Sequence, residues 1–353
     1  MSEPTVSSMG GQMSNGTATH FLQHVAACLL VIAAVASSEA IAAERTEVEI
    51  KQTLLSDGDV RYSVPISFGG SAAIDVMLDT GSTGIRILPG TFADSTFKRT
   101  DKTDVYAYSS GVRLNGVVAS VPISIGSLAS PAPLNVELVK TIDCSAQQPN
   151  CPASRLSLTD YRLGGDGLAK QGFSAIVGLS SNPANVDNPL IQMGVHSWII
   201  ELPEPATQAP GKVILNPSAD DVAGFTMFPT QAIFRPSAPI HDAVQACLII
   251  KAAKRICGPT LFDTGAPGIH VSASTPADGT GWSKGDAMTI AIADDKGASI
   301  SANFTAGQDR PSTISASQPA GLPVTHISAG TLPFLLFSVL YDNDSHLVGL
   351  KLR

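Results

Sequence analysis

Charge is scarce in this 353-residue chain: Asp, Glu, Lys and Arg make up only 15% of it, against about 25% in an ordinary globular domain. No cluster of Lys and Arg occurs, and the formal net charge is −8, which argues against nucleic acid as a partner. Residues 1–24 contain no Lys or Arg at all. There is no Cys-x-x-Cys, and the seven histidines show no ligand spacing, so neither a zinc site nor any other metal site is expected. Tandem repeats with a period of roughly 20–50 residues are missing too, which excludes a solenoid. Helical signal is sparse, with Pro189–Val195 as one short candidate.

What the chain has is apolar residues, 44% of the total, together with 31 glycines and 24 prolines. Short apolar runs between turn residues predict a β-rich protein with a sizeable core. Tyr62–Phe68 and Ala73–Leu78, with Gly69-Gly70 between them, predict a hairpin. Further strands are expected at Val117–Ile125, Ala175–Leu179, Val213–Leu215, Leu248–Ile250, Met288–Ile292 and Leu347–Leu352.

The N-terminus carries an apolar run, Val25–Ala36, followed by the small-x-small pattern Ala40-Ile41-Ala42. The run is too short to favour a membrane span and reads as an export segment, although the positive stretch that usually precedes one is missing. Residues 1–42 are therefore expected to be a signal peptide or an N-terminal anchor, and the protein periplasmic or secreted. A membrane enters only if the apolar segment stays uncleaved. Cys28 lies in that run; Cys144, Cys151, Cys247 and Cys257 remain. An even count in an exported chain points to two disulfides, and Cys144–Cys151 with Cys247–Cys257 is the simplest of three connectivities. The alternative is four reduced thiols.

One phrase occurs twice. Residues 76–88 read VMLDTGSTGIRIL and residues 260–272 read TLFDTGAPGIHVS. Asp79, Thr80 and Gly81 match Asp263, Thr264 and Gly265 at a spacing of 184 residues, and the match extends through Gly84/Gly268 and Ile85/Ile269. A single Asp-Thr-Gly reads as a turn, with Asp capping the backbone. Two copies, each following an apolar strand, read as duplicated halves whose aspartates meet. Two carboxyls brought within hydrogen-bond range cannot both ionise cheaply, so they share one proton and titrate as a unit. One can take a proton from water while the other polarises a carbonyl and later protonates a leaving nitrogen. Thr80 and Thr264 suit hydroxyl hydrogen bonds that fix the two turns against each other, and Gly81 and Gly265 let backbone N–H groups approach the carboxylates.

On these residues the chain resembles the pepsin-like aspartic proteases, from about Tyr62 to Leu350. The resemblance implies an all-β, bilobal fold with a cleft between two similar lobes, residues 62–218 and 219–353, after a short leader at 43–61. It implies an endopeptidase, with a peptide or protein substrate, no cofactor, and a monomer holding both halves in one chain. Asp79 and Asp263 would be the catalytic dyad. Ile176-Val177-Gly178 resembles the family's apolar-apolar-Gly crossing element, and Gly330 takes the second crossing position. Tyr108-Ser109-Ser110-Gly111 resembles the flap tip with Tyr108 as its tyrosine, and Tyr106 competes for that role. Asn188–Leu202 with Gly211–Asn216, and Val339–Leu350, resemble the elements that close the lobes.

Three departures stand out. Arg86 replaces the tryptophan that usually supports the flap tyrosine; it either lies near the cleft, favouring carboxylate ionisation or binding a substrate carboxylate, or is a solvent-facing strand residue. Ala266 replaces a hydroxyl residue beside the second carboxyl, whereas Ser82 is present beside the first. Ser328-Ala329-Gly330 is less apolar than the family element. The wording DTGSTGIR is similar to that of exported bacterial pepsin-fold proteins of unassigned activity, so the alternatives are a non-catalytic peptide- or protein-binding protein of the cell envelope and a purely structural role for the aspartates.

Overall fold

A computed structural model describes residues 44–204, 209–233, 240–250, 254–272, 282–317 and 326–353. The export segment expected at 1–42 lies outside them. Strands account for 52% of the described residues and helices for 5%, so the protein is all-β. No helix among the described residues is long and apolar enough to cross a membrane.

The strands form two sheets. The larger has 15 strands and takes residues from both ends of the chain. One stretch of it runs in the order Thr226–Pro229, Leu347–Leu352, Phe337–Asp342, Ser197–Glu201, Gly211–Leu215, Thr46–Leu54, all antiparallel. Thr46–Leu54 is shared: Thr46–Ile50 pair with Gly211–Leu215, and Lys51–Leu54 turn to Val60–Phe68. From there the sheet continues through Ile74–Asp79, Ala175–Leu179, Thr83–Ile87, Leu134–Cys144, Val112–Val121 and Lys98–Ala107. The second sheet has 8 strands, among them Ile240–Ile250, Lys254–Leu261, Ile269–Ser272 and His326–Ser328.

The sequence pattern accounts for most of these elements. The Gly69-Gly70 hairpin forms, with both glycines at positive φ and Val60–Phe68 antiparallel to Ile74–Asp79. The stretch read as one strand over Val117–Ile125 is two, Val112–Val121 and Ile123–Ile125. Pro122 divides them because it has no N–H for the ladder; its carbonyl accepts from Gly69 N, and Ile123–Ile125 pairs with Val60–Phe68 instead. The short helix is Pro189–Gln192, started by Asn188, whose side chain accepts from Leu190 N.

A crossing appears in both halves. Ala175–Leu179 lies between Ile74–Asp79 and Thr83–Ile87, parallel to the first and antiparallel to the second. His326–Ser328 lies in the same way between Lys254–Leu261 and Ile269–Ser272. Each crossing passes so close to the neighbouring loop that a glycine is required. A Cβ on Gly178 would fall 2.5 Å from the Ser82 carbonyl, and one on Gly330 would fall 2.4 Å from Gly268 O.

One apolar core runs through both halves, including Val64, Leu78, Trp198, Phe262, Phe334 and Val339. An ion-pair cluster also spans them: buried Asp59 meets buried Arg61 at 3.4 Å and the exposed Arg310 at 2.6 Å. The disulfides are Cys144–Cys151 and Cys247–Cys257. The second pair occupies directly opposite positions on adjacent antiparallel strands. Two disulfides fit an oxidising, exported compartment.

The crossing makes a packing prediction. Gly178→Ala has no room for its methyl group and is expected to cost about 3 kcal/mol, the upper end of ordinary overpacking. Urea denaturation reads this as a lowered midpoint, and an unchanged midpoint contradicts the packing described.

Candidate active site

Both Asp-Thr-Gly segments fall where an apolar strand leaves the core. Val76, Met77 and Leu78 are buried ahead of Asp79, and Leu261 and Phe262 ahead of Asp263. In each loop the Asp carboxylate turns back on its own chain: Gly81 N donates to Asp79 Oδ1 at 2.8 Å, and Gly265 N donates to Asp263 Oδ1 at 2.9 Å. Such a side-chain-to-backbone bond closes a tight turn and aims the carboxyl away from the strand.

The loops are joined by the threonines. Thr80 Oγ1 donates to Phe262 O at 2.8 Å and accepts from Thr264 N at 3.0 Å. Thr264 Oγ1 donates to Leu78 O at 2.9 Å and accepts from Thr80 N at 3.0 Å. The four bonds are reciprocal, and both side chains are buried. The grip brings the carboxyls together. A Cβ on Gly81 would fall 2.4 Å from Asp263 Cγ. One on Gly265 would fall 2.6 Å from Asp79 Oδ1 and 3.1 Å from Asp263 Oδ1. Each glycine therefore vacates the space that the opposite carboxylate occupies. Ser82 Oγ donates to Asp79 Oδ2 at 2.6 Å, so both oxygens of Asp79 have donors. Ala266 has no hydroxyl to offer; its backbone N donates to Asp263 O at 3.2 Å and its O accepts from Thr331 N at 3.1 Å.

The crossing glycines sit directly beside these loops. Gly178 pairs in register with Asp79, and Gly330 O accepts from Asp263 N at 3.1 Å. Beyond the first loop, Lys98–Ala107 and Val112–Val121 form a hairpin whose tip is Tyr108–Gly111. Tyr108 N donates to Val112 O and Gly111 N to Tyr108 O, with Gly111 at φ 87°. The tip leans on the segment enclosed by the first disulfide: Gln148 Nε2 donates to Ser109 O, and Ser145 N to Gly111 O.

Tyr106 and Tyr108 face the same way from the hairpin, rings 5.0 Å apart. Tyr106 lies over Arg86, 3.4 Å from guanidinium carbon to ring centroid, and the charges of both Asp79 and Asp263 act on it. Burial raises its phenol above the ordinary range, with Arg86 opposing. Burial raises that of Tyr108 further; its hydroxyl is enclosed without a hydrogen-bond partner.

Arg86 corrects the solvent-facing and the substrate-binding expectations. It neither faces solvent nor opens to a substrate: its side chain is fully buried. Its Nη1 donates to Thr83 O at 2.7 Å, its Nε approaches Glu137 Oε2 at 3.1 Å, and Tyr106 covers its face. A guanidinium in the core requires such a partner. Glu137 was not visible as a site residue, yet an acid between Val136 and Leu138 in Leu134–Cys144 and a lone base inside the apolar strand Thr83–Ile87 were a signal that the two would pair. Tyr341 was also missed. It is buried, stacks on Trp198 with centroids 5.7 Å apart, and burial raises its phenol while Thr80 opposes the rise, which places it beside the grip.

Among the described residues no group of three His, Cys, Asp or Glu could hold a metal ion. No protein-family model matches the chain, and no curated protein matches it.

The grip is directly testable. Thr80→Val keeps the shape but leaves Thr264 N and Phe262 O without partners, at a cost of about 2–3 kcal/mol in denaturant unfolding. Thr80→Val with Thr264→Val is expected to cost less than the sum of the two single variants, because either single variant already loosens the loop register on which the other side chain's two bonds depend.

Proposed function

We propose that this protein is an aspartic endopeptidase of the pepsin-like, bilobal type, with Asp79 and Asp263 as its catalytic dyad. The observation that carries the reading is the symmetric pair of loops: two carboxyls on duplicated turns, joined by reciprocal threonine bonds, each seated over the other's glycine. The repeated strand crossing and the sheet shared by both chain ends support it, as does a hairpin carrying Tyr106 beside the pair.

The pair can act on a peptide bond without a covalent intermediate. A water held between the carboxyls gives a proton to the ionised member as its oxygen attacks the carbonyl carbon. The protonated member gives its proton to the carbonyl oxygen. Collapse of the tetrahedral species breaks the C–N bond: the leaving nitrogen takes a proton from one carboxyl, and a hydroxyl of the gem-diol gives its proton to the other as the product carbonyl forms. The carboxyls return to one shared proton. An extended substrate would lie beneath the hairpin, bonded through its backbone.

The test is cleavage of a diverse peptide mixture across about pH 3 to 8, read by mass spectrometry, with and without pepstatin. Asp79→Asn and Asp263→Asn are each expected to abolish cleavage while the folded protein keeps its melting temperature near that of the parent. No cleavage by a folded, disulfide-bonded parent overturns the catalytic reading; ligand retention by both variants would then identify a peptide-binding protein.

A further inference from the structure

Beneath the hairpin, four neighbouring strands carry a row of buried charge that peptide hydrolysis does not itself require. Arg86 and Glu137 are paired positions on the parallel strands Thr83–Ile87 and Leu134–Cys144, and both side chains are wholly enclosed. Asp104, on the hairpin strand Lys98–Ala107, is buried as well. Between Glu137 and Asp104 runs Val112–Val121, which presents Gly116 opposite Asp104 at a bulge in its pairing with Leu134–Cys144. A Cβ at Gly116 would fall 2.8 Å from both Cγ and Oε1 of Glu137. The missing side chain therefore leaves the Glu137 carboxyl open across the middle strand toward Asp104, whose charge acts on it.

Two carboxylates cannot hydrogen-bond, because both only accept; one proton converts the contact into a donor and an acceptor. Neither Glu137 oxygen has a hydrogen-bond partner, although Arg86 Nε lies 3.1 Å from Oε2 as an ion pair. Asp104 accepts from Asn185 Nδ2 at 2.9 Å. Tyr106 follows Asp104 by two residues, on the same face of the strand, and rests on Arg86.

We propose that Glu137 is a positioning residue for the carboxylate pair: protonated, it hydrogen-bonds Asp104 across Gly116 and clamps the Tyr106 hairpin onto Arg86; ionised, it repels Asp104 and the hairpin loosens. Its effect on turnover rests on the hydrolytic reading above, whereas its effect on the hairpin does not.

Burial pushes the Glu137 carboxyl up to about 7, with Arg86 opposing and Asp104 adding to the rise. Arg86 and Asp104 are the charged groups that face it among the described residues; the middle strand offers Gly116 and the apolar Val118. The folded protein thus keeps this proton where an ordinary carboxyl, at 4.5, has lost it. The contribution is fully present below that ordinary value and is lost as pH rises through about 7.

Hydrogen exchange at the Tyr108 and Gly111 amides, corrected for the intrinsic rate, reads the hairpin directly. In the parent, protection is expected to fall about tenfold or more between roughly pH 5.5 and 8.5. Asp104→Asn, whose amide donates to ionised Glu137, is expected to keep its protection at both. Glu137→Gln, which donates to Asp104 without a proton, serves as the second variant. Equal protection at both pH values in the parent overturns the proposal, as does a parent-like fall in either folded variant. With a cleaved peptide, KM is expected to rise over the same interval in the parent and stay flat in Asp104→Asn; a parallel rise in the variant also overturns it. Absent turnover with the exchange shift intact overturns the hydrolytic reading alone.

Discussion

Two threonines bond crosswise at the centre of this protein, and the arrangement of both carboxyls depends on that exchange. Each hydroxyl gives a proton to the carbonyl that precedes the opposite aspartate and takes one from the opposite threonine's backbone. These four groups are buried, and leaving any of them unpaired would carry the full cost of desolvation. The loops are thereby fixed in the one register that satisfies all four. In that register the glycines face the opposing carboxylates, and no residue with a Cβ fits.

The surroundings keep the grip from carrying strain alone. An apolar core runs without interruption from Leu78 to Phe262, so the strands entering the loops are anchored on the same material. Asp59 with Arg61 and Arg310 ties the halves electrostatically at a second place. Beside Thr80, Tyr341 stacks on Trp198. The hairpin beside the carboxyls differs in kind. It is held by a cation under an aromatic ring and by an acid cluster in the core, contacts whose strength depends on protonation, whereas the grip consists of neutral hydrogen bonds.

Much of this was legible because it is local. The Gly69-Gly70 turn, the strands at Ala175–Leu179 and Leu347–Leu352, and the short helix after Asn188 follow from turn chemistry and apolar runs. The disulfides join near neighbours in sequence, where few alternatives compete. The doubled Asp-Thr-Gly marked both loops because a repeated phrase is visible without coordinates. Arg86 was misread because a charged residue in a strand ordinarily faces water. Its partner lies 51 positions away in sequence and becomes its neighbour only through a parallel pairing. The role of Gly116 was invisible for a related reason: it depends on what two other strands place on either side of an empty position.

The sheet stretch that combines Thr46–Leu54 with Phe337–Asp342 and Leu347–Leu352 has a consequence in time. Its first strand is among the earliest described residues to be synthesised and its last strands are the latest. A chain synthesised only as far as residue 272 has both aspartate loops but lacks Phe337–Asp342 and Leu347–Leu352, which pair with Ser197–Glu201 and with each other. Contacts of such long sequence separation form late and slowly. This sheet stretch therefore closes through pairings between strands far apart in sequence, which places its completion among the slow steps of folding.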